Sequence, residues 1–136
     1  MAEHRARCQC GALMVEATQE PDLVVACNCV ACQRRTGSPF GVSGFFLKSS
    51  ITVSGDYKTW DRVAESGRNL TSHFCPLCGT NVFWTLDMRP DHVGVAAGCF
   101  ETKLPEPARA IWTESKHDWV EFPDHWPQHE KMTPGT

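Results

Sequence analysis

The sequence predicts an all-β protein. Short runs of strand-forming residues alternate with turns that contain glycine, proline or asparagine. Two of these turns also carry closely spaced cysteines followed by a glycine, which is the pattern of a zinc knuckle between two strands. The chain of 136 residues contains no internal repeat and no long amphipathic helix. A length in this range favours a single domain, residues 1–136.

In the first half of the chain, a strand, a tight turn at Cys8-Gln-Cys-Gly11 and a second strand are predicted over residues 5–18. Valine-rich residues predict the next strand, which leads into a cysteine-rich segment. One short helical turn is predicted at 30–35, because glycine and proline interrupt the chain soon afterwards. The run 40–47 contains glycines that suggest a bulge or a close approach of the backbone.

In the second half, two strands joined through residues 64–67 predict a hairpin whose second arm runs into Cys75-Pro-Leu-Cys-Gly79. This turn presents both thiols on one side, and its glycine permits a positive φ. Prolines after Trp119 predict an irregular tail, about 128–136. The predicted strands that follow the first turn cover residues 12–18, 22–26, 40–47, 51–54, 57–63, 68–74, 80–86, 92–97 and 108–113.

Composition and charge limit the function classes. No apolar run approaches the roughly 20 residues that cross a bilayer, and the first residues lack the apolar core of a signal peptide. A cytoplasmic protein without a membrane partner is therefore expected. The net charge of −3 argues against a nucleic-acid partner, which usually selects a basic surface.

The eight cysteines favour metal binding over disulfide bonds. A reducing compartment disfavours disulfides, and Cys-x-Cys or Cys-x-x-Cys pairs are too close together to connect distant loops. Cys75 and Cys78 supply two ligands of a four-ligand zinc site, and the tight pair Cys8 and Cys10 is the natural source of the other two. Such a site would tie the start of the chain to its middle.

The remaining triplet, Cys27, Cys29 and Cys32, predicts a second zinc ion with three protein ligands. Three ligands leave one position for water or substrate, whereas four close a structural site. Three thiolates make zinc a weak Lewis acid towards water, so the site favours a further thiol, which would ionise there and attack a small electrophile. Cys99 is the alternative fourth ligand, and with it the second site would be structural.

The order and spacing of these cysteines resemble one known family. Cys8-Gln-Cys-Gly11, then Cys27-Asn-Cys-Val-Ala-Cys32 with two arginines shortly after it, then Phe74-Cys-Pro-Leu-Cys-Gly79 is similar to the glutathione-dependent formaldehyde-activating (GFA) family. The resemblance extends to residues 111–119 and spans 5 to about 127. The chain departs from the family's usual pattern at Cys99 and at Asn28, which replaces a frequent histidine and lies where substrate preference could change.

The resemblance implies the fold, the cofactors and the activity. It implies a β-tent-like arrangement of small twisted antiparallel sheets, with a structural zinc at Cys8, Cys10, Cys75 and Cys78. It also implies a catalytic zinc at the triplet, where the thiol of the co-substrate glutathione binds. The implied activity is the condensation of glutathione with formaldehyde to S-(hydroxymethyl)glutathione, which is a carbon–sulfur lyase reaction in the reverse direction.

Three basic residues are candidates for binding the ligand. Arg34 and Arg35 could hold a glutathione carboxylate, because guanidinium matches carboxylate with two hydrogen bonds. Lys116 is a third candidate, and for all three a solvated side chain is the open alternative. Trp112 and Trp119 are expected in the core rather than in the wall of a pocket.

Two functions of different classes remain at this point. The first is a zinc-dependent carbon–sulfur lyase that acts on a small-molecule thiol and an aldehyde. The second is a zinc-stabilised binding module with two structural sites and no turnover. An open coordination position that faces a pocket would distinguish the enzyme from the module. The oligomeric state is not predicted.

Overall fold

A computed structural model describes residues 3–64 and 67–133 and confirms the all-β fold. No helix in these ranges is long and apolar enough to span a membrane. Short 3₁₀ turns occur at Lys48–Ser50, Ala97–Cys99 and Thr113–Ser115. The strands and the helix are β1 (His4–Arg7), β2 (Met14–Ala17), β3 (Leu23–Cys27), α1 (Val30–Thr36), β4 (Gly41–Leu47), β5 (Ile51–Ser54), β6 (Lys58–Val63), β7 (Asn69–Phe74), β8 (Asn81–Leu86), β9 (His92–Ala96) and β10 (Arg109–Ile111).

The strands form two sheets. The smaller sheet is antiparallel and has the strand order β1-β2-β5. The larger sheet has the order β10-β3-β4-β9-β8-β7-β6. Its strands pair antiparallel except at one edge, where β10 runs parallel to β3. The large sheet is therefore mixed, whereas antiparallel sheets were expected.

The predicted elements agree closely with the observed ones, and the helical turn is confirmed as α1. For the glycines of β4, the close approach is confirmed: an added Cβ would lie 2.5 Å from Arg35 Nη2 at Gly41 and 2.9 Å from Leu104 Cδ1 at Gly44. The irregular register of the large sheet lies instead near the end of β7. The predicted hairpin turn includes residues 65 and 66 and the predicted tail includes 134–136, all outside the described residues.

The segment after Trp119 is attached to the edge of the large sheet. Gln128 forms a parallel bridge with Ala110 of β10, and the His129 N–H donates to the carbonyl of Ala110 at 3.0 Å. The Trp112 N–H donates to the carbonyl of residue 131 at 3.0 Å. These bonds satisfy backbone groups that an edge strand would otherwise leave unpaired.

Two apolar clusters lie on opposite faces of the large sheet. The first lies between the sheets and combines Leu13 and Val15 with Phe46 and other side chains of the large sheet. The second surrounds the end of β3 and includes Phe45 and Ile111. Phe45 and Phe46 are neighbours in β4, and successive strand residues point to opposite faces. The strand therefore contributes to both clusters.

A row of directly paired residues crosses four strands on one face of the large sheet. Trp60 pairs with Ser72, Ser72 with Trp84, and Trp84 with Gly94. Paired residues share a face, so the two tryptophans are separated by a small side chain. A Cβ added at Gly94 would clash with Trp84 Nε1, which shows that the indole ring covers this glycine.

We predict that Gly94→Ala destabilises the protein by about 1–3 kcal/mol, because the added methyl displaces the Trp84 ring. Gly98→Ala is the matched control, since nothing lies within 4 Å of its added Cβ and its φ is not positive. Its effect should stay below ~0.5 kcal/mol. The free energy of unfolding in urea measures both variants. Equal losses would contradict the packing of Trp84 on Gly94.

Candidate metal centres

The fold brings together both groups of cysteines that the spacing predicted. All eight cysteines are free thiols. In each group the Sγ atoms lie within 4.8 Å of one another. The two groups are Cys8, Cys10, Cys75 and Cys78, called here the quartet, and Cys27, Cys29 and Cys32, called the triplet.

The quartet is formed by two turns of similar design, one between β1 and β2 and one between β7 and β8. In each turn, the first cysteine N–H donates to the carbonyl five residues later, from Cys8 to Leu13 and from Cys75 to Thr80, both at 3.0 Å. The glycine that follows each cysteine pair has a φ of 83° or 78°. Glycine adopts this left-handed conformation without steric cost, so both thiols can point to the same side.

Hydrogen bonds to sulfur prepare the quartet for a cation. A backbone N–H donates to Sγ at 3.3 Å for Cys8 and at 3.4 Å for Cys75. Hydrogen bonds from the Thr80 side chain and backbone lower the pKa of Cys78 to about 5. Bonds of this kind favour the thiolate over the thiol. Clustered thiolates repel one another unless a positive ion lies between them.

The spacing of the quartet fits zinc. Cys8 Sγ lies 3.6 Å from Cys10 Sγ, and Cys10 Sγ lies 3.7 Å from Cys75 Sγ. A tetrahedral site with Zn–S bonds of about 2.3 Å places its sulfur atoms about 3.8 Å apart. The quartet could therefore hold zinc with little rearrangement.

The triplet lies at the junction of β3 and α1. Cys27 is the last residue of β3, Cys29 is the N-cap of α1, and Cys32 lies in the first turn of the helix. The Cys29 sulfur accepts a hydrogen bond from the Cys32 N–H at 3.3 Å, as a capping side chain does. Cys27 and Cys29 are buried, whereas Cys32 is partly exposed.

The three thiols of the triplet do not ionise independently. Hydrogen bonds from Cys27 and Cys29, together with the positive charge of Arg35, hold the pKa of Cys32 well below its usual range. The same contacts with Cys29 and Cys32 raise the pKa of Cys27. Arg35 is itself held in place, because its guanidinium carbon lies 4.0 Å above the centre of the Trp84 ring.

Asn28 and Gln33 attach the triplet to the end of β10 and to the chain that follows it. The Asn28 amide donates to the carbonyl of Ile111 at 3.0 Å, and the Gln33 amide donates to the carbonyls of Asn28 at 2.8 Å and Ser115 at 3.0 Å. Asn28 is completely buried. Asn28, where the sequence departs from the pattern it resembles, therefore orients the loop between the first two thiols. Its side chain lies inside the protein.

Trp112 turns the chain so that the carbonyls of Ile111 and Ser115 can accept these hydrogen bonds. Its backbone is left-handed, with φ 56° and ψ 38°, which is rare outside glycine and costs a bulky residue of the order of 1–3 kcal/mol. The Ser115 N–H bonds to its carbonyl at 3.1 Å and closes the 3₁₀ turn. The ring packs against the apolar cluster around the triplet, as expected for a core residue. The strain of Trp112 thus lies beside the triplet.

The other candidates occupy different surroundings. Lys116 donates to the carbonyl of Val120 at 2.7 Å and so closes a local loop. Trp119 is 71% exposed, and its expected place in the core was therefore wrong. Cys99 packs against the cluster that contains Cys8, and it is absent from the group of three sulfurs that the described residues form around Cys27.

A cleft of about 700 Å³ lies between α1 and the hairpin of β6 and β7. Both predicted arginines line it, Arg34 at the surface and Arg35 half-buried. Arg62 and Trp60 of β6 also line it, and no pattern in the sequence indicated them, because they reach the cleft through strand pairing. The cysteines of the triplet are not among the residues that line it.

The fold and the two cysteine groups together define a class of protein, an all-β protein with two thiol clusters able to hold metal ions. The family model described as "Glutathione-dependent formaldehyde-activating enzyme" matches residues 3–115. The chain belongs to this family, which confirms the resemblance.

A solved structure shows a similar fold. The crystal structure of a Rhodobacter sphaeroides protein superposes with a TM-score of 0.56 at 21% sequence identity, and the match covers 74% of this chain and 91% of that one. Among curated proteins, none matches.

We predict that Cys99→Ser retains all bound metal and changes the stability by about 1–2 kcal/mol, as an ordinary apolar substitution would. Metal content after gel filtration, measured by mass spectrometry, gives the result. Cys29→Ser is the control and should stay folded and lose one equivalent. A Cys99→Ser protein that lacked one equivalent would mean that Cys99 is a ligand.

Proposed function

We propose that the chain is a zinc-dependent carbon–sulfur lyase that adds a thiol such as glutathione to formaldehyde or another small electrophile. One observation carries the proposal: the triplet offers three grouped sulfur ligands, and Cys99 lies elsewhere, in a chain that belongs to the GFA family. Three ligands leave one position of a tetrahedral metal for a substrate. Free thiols throughout suit the reducing cytoplasm, where such an enzyme would meet its small-molecule partners.

The quartet is assigned a structural zinc. It joins turns of the two sheets, and Cys10 and Cys75 are 65 positions apart in the chain. Structural zinc in small peptides is worth roughly 10–16 kcal/mol of apparent binding free energy, against a typical folding free energy of ~5–15 kcal/mol. This ion would therefore decide whether the domain folds.

The triplet is assigned the catalytic zinc. Zinc bound there would supply a site at which a thiol ionises near neutral pH. Cys27, Cys29 and Cys32 would hold the ion, Arg35 would offset part of their negative charge, and Asn28 keeps their loop in place. The reaction joins the thiol sulfur to the carbonyl carbon. The carbonyl oxygen gains one proton and the thiol loses one, so no oxidant or reductant is required.

We expect two zinc ions per chain and unequal effects of removing their ligands. Cys75→Ser should give unfolded or insoluble protein, because the loss is comparable with the total folding stability. Cys29→Ser should leave a folded domain with one zinc. Circular dichroism and metal analysis measure both. If the two variants unfold alike, the triplet is structural and the binding module becomes the better proposal.

Thiol addition is tested with cobalt in place of zinc. Glutathione should change the cobalt absorption at neutral pH, because the spectrum depends on the number of thiolate ligands. NMR exchange spectroscopy should also show faster formation of S-(hydroxymethyl)glutathione with the zinc protein than without it. Cys29→Ser should show neither effect. An unchanged spectrum together with an uncatalysed rate would reject the proposed function.

A further inference from the structure

Among the described residues, Cys99 belongs to neither group of thiols, but it lies beside the quartet. Phe100, the next residue, forms an antiparallel bridge with Ala6 of β1, and that strand leads directly into the turn of Cys8. Cys78 and Cys99 both pack against the apolar cluster that contains Cys8. Burial and the neighbouring sulfurs of Cys8 and Cys78 raise the pKa of Cys99. A fifth thiol is therefore within electrostatic reach of the quartet.

A cavity of about 590 Å³ lies beside Cys99 and includes a quartet cysteine in its wall. Of the four quartet cysteines, all within the described ranges, Cys78 alone lines it. The Thr80 hydroxyl oxygen, also in the wall, lies 3.2 Å from Cys78 Sγ. Cys78 and Cys99 are partly exposed, whereas Cys8 and Cys75 are buried. A small molecule that enters the cavity therefore has access to both thiols of its wall.

The cavity has the features of a reactive-cysteine site. Arg35 lines it, and the positive charge of this side chain acts on Cys99. The described lining contains no acidic side chain. Reactive cysteines lie in such electropositive, partly exposed surroundings, and a second thiol nearby converts a sulfenic acid into a disulfide. Cys78 and Cys99 together meet these conditions.

The turn that carries Cys99 has room to adjust. Its hydrogen bond, from the Phe100 N–H to the carbonyl of Ala97, is long at 3.3 Å. Gly98 is exposed, and nothing lies within 4 Å of a Cβ built on it. A disulfide requires Cα atoms about 4.4–6.8 Å apart. A weakly held turn of this kind can bring Cys99 to Cys78 while the neighbouring strands keep their pairing.

We propose that Cys99 and Cys78 are the site of a reversible disulfide that a hydroperoxide forms, and that this disulfide makes the quartet release its metal ion. The Cys78 thiolate takes one oxygen from the hydroperoxide ROOH and becomes a sulfenic acid, while RO⁻ leaves and takes a proton from solvent. The Cys99 thiol then attacks the Cys78 sulfur, so that the S–O bond breaks, the S–S bond forms and water leaves. The two sulfurs lose two electrons in total, and the peroxide gains them.

The disulfide changes the metal site and, through it, the fold. It removes one of four thiolate ligands, so the ion is held less tightly and the domain loses the stability that the ion supplies. A small thiol reduces the disulfide by exchange and restores both cysteines. This inference rests on the zinc that the proposed function assigns to the quartet, and it does not depend on the lyase reaction.

The test adds hydrogen peroxide to the zinc protein, freed of reductant, in the presence of a chromogenic zinc chelator. The unmodified protein should release one equivalent of zinc more than Cys99→Ser does under the same conditions. Cys99→Ala should behave like Cys99→Ser, so that the result does not depend on the new hydroxyl. Gly98→Ala is the matched control, because it keeps both thiols and alters the same turn, and it should release zinc like the unmodified protein.

Peptide mass spectrometry without reduction identifies the bond that forms. It should find the peptides of Cys78 and Cys99 linked, and added glutathione should separate them. The proposal is overturned if the Cys99 variants release as much zinc as the unmodified protein, or if Cys78 is found linked to another cysteine. Two zinc ions and catalysed adduct formation in the untreated protein would then leave the proposed function intact. An untreated protein without zinc at the quartet would instead reject that part of the proposed function.

Discussion

Four thiols converge where the two sheets meet, and much of the structure depends on that convergence. Each sheet alone has an apolar face, and the core between them includes Cys8 and Cys75 themselves. The turns that present the sulfurs direct backbone N–H groups towards Cys8 and Cys75, and such hydrogen bonds stabilise negative charge on sulfur. Such a cluster would repel itself without a cation. A metal ion held by the quartet would tie the two sheets together.

The triplet is built on a different principle. The quartet depends on local turns with glycine at a positive φ, whereas the triplet depends on distant partners. Asn28 and Gln33 bond to backbone carbonyls more than 80 positions along the chain. Those carbonyls are presented correctly because Trp112 accepts a left-handed backbone. Backbone strain of this kind persists only where the surrounding contacts offset its local cost.

The features that could be predicted are those encoded locally. Cys75-Pro-Leu-Cys-Gly79 contains its own turn chemistry, and β7 and β8 follow from the strand formers on either side. The grouping of cysteines followed from ligand counting. What could not be predicted depends on pairing between distant segments: β10 running parallel to β3, and Arg62 reaching the cleft. Trp119 was misplaced because aromatic composition does not indicate which side of a loop meets solvent.

The helix that carries Cys32 of the triplet depends on contacts with distant parts of the chain. α1 has seven residues, and an isolated helix shorter than about 12 residues is marginal in water. No residue within it is fully buried, although Ala31 and Cys32 are partly buried against the apolar cluster that contains Phe45. Its attachments are the Gln33 amide and the Arg35 guanidinium, which lies over Trp84 and close to Gly41. A planar group fits this space, and a lysine ammonium would not stack there. Arg35 therefore fixes the helix, and the same contact keeps a positive charge beside Cys32.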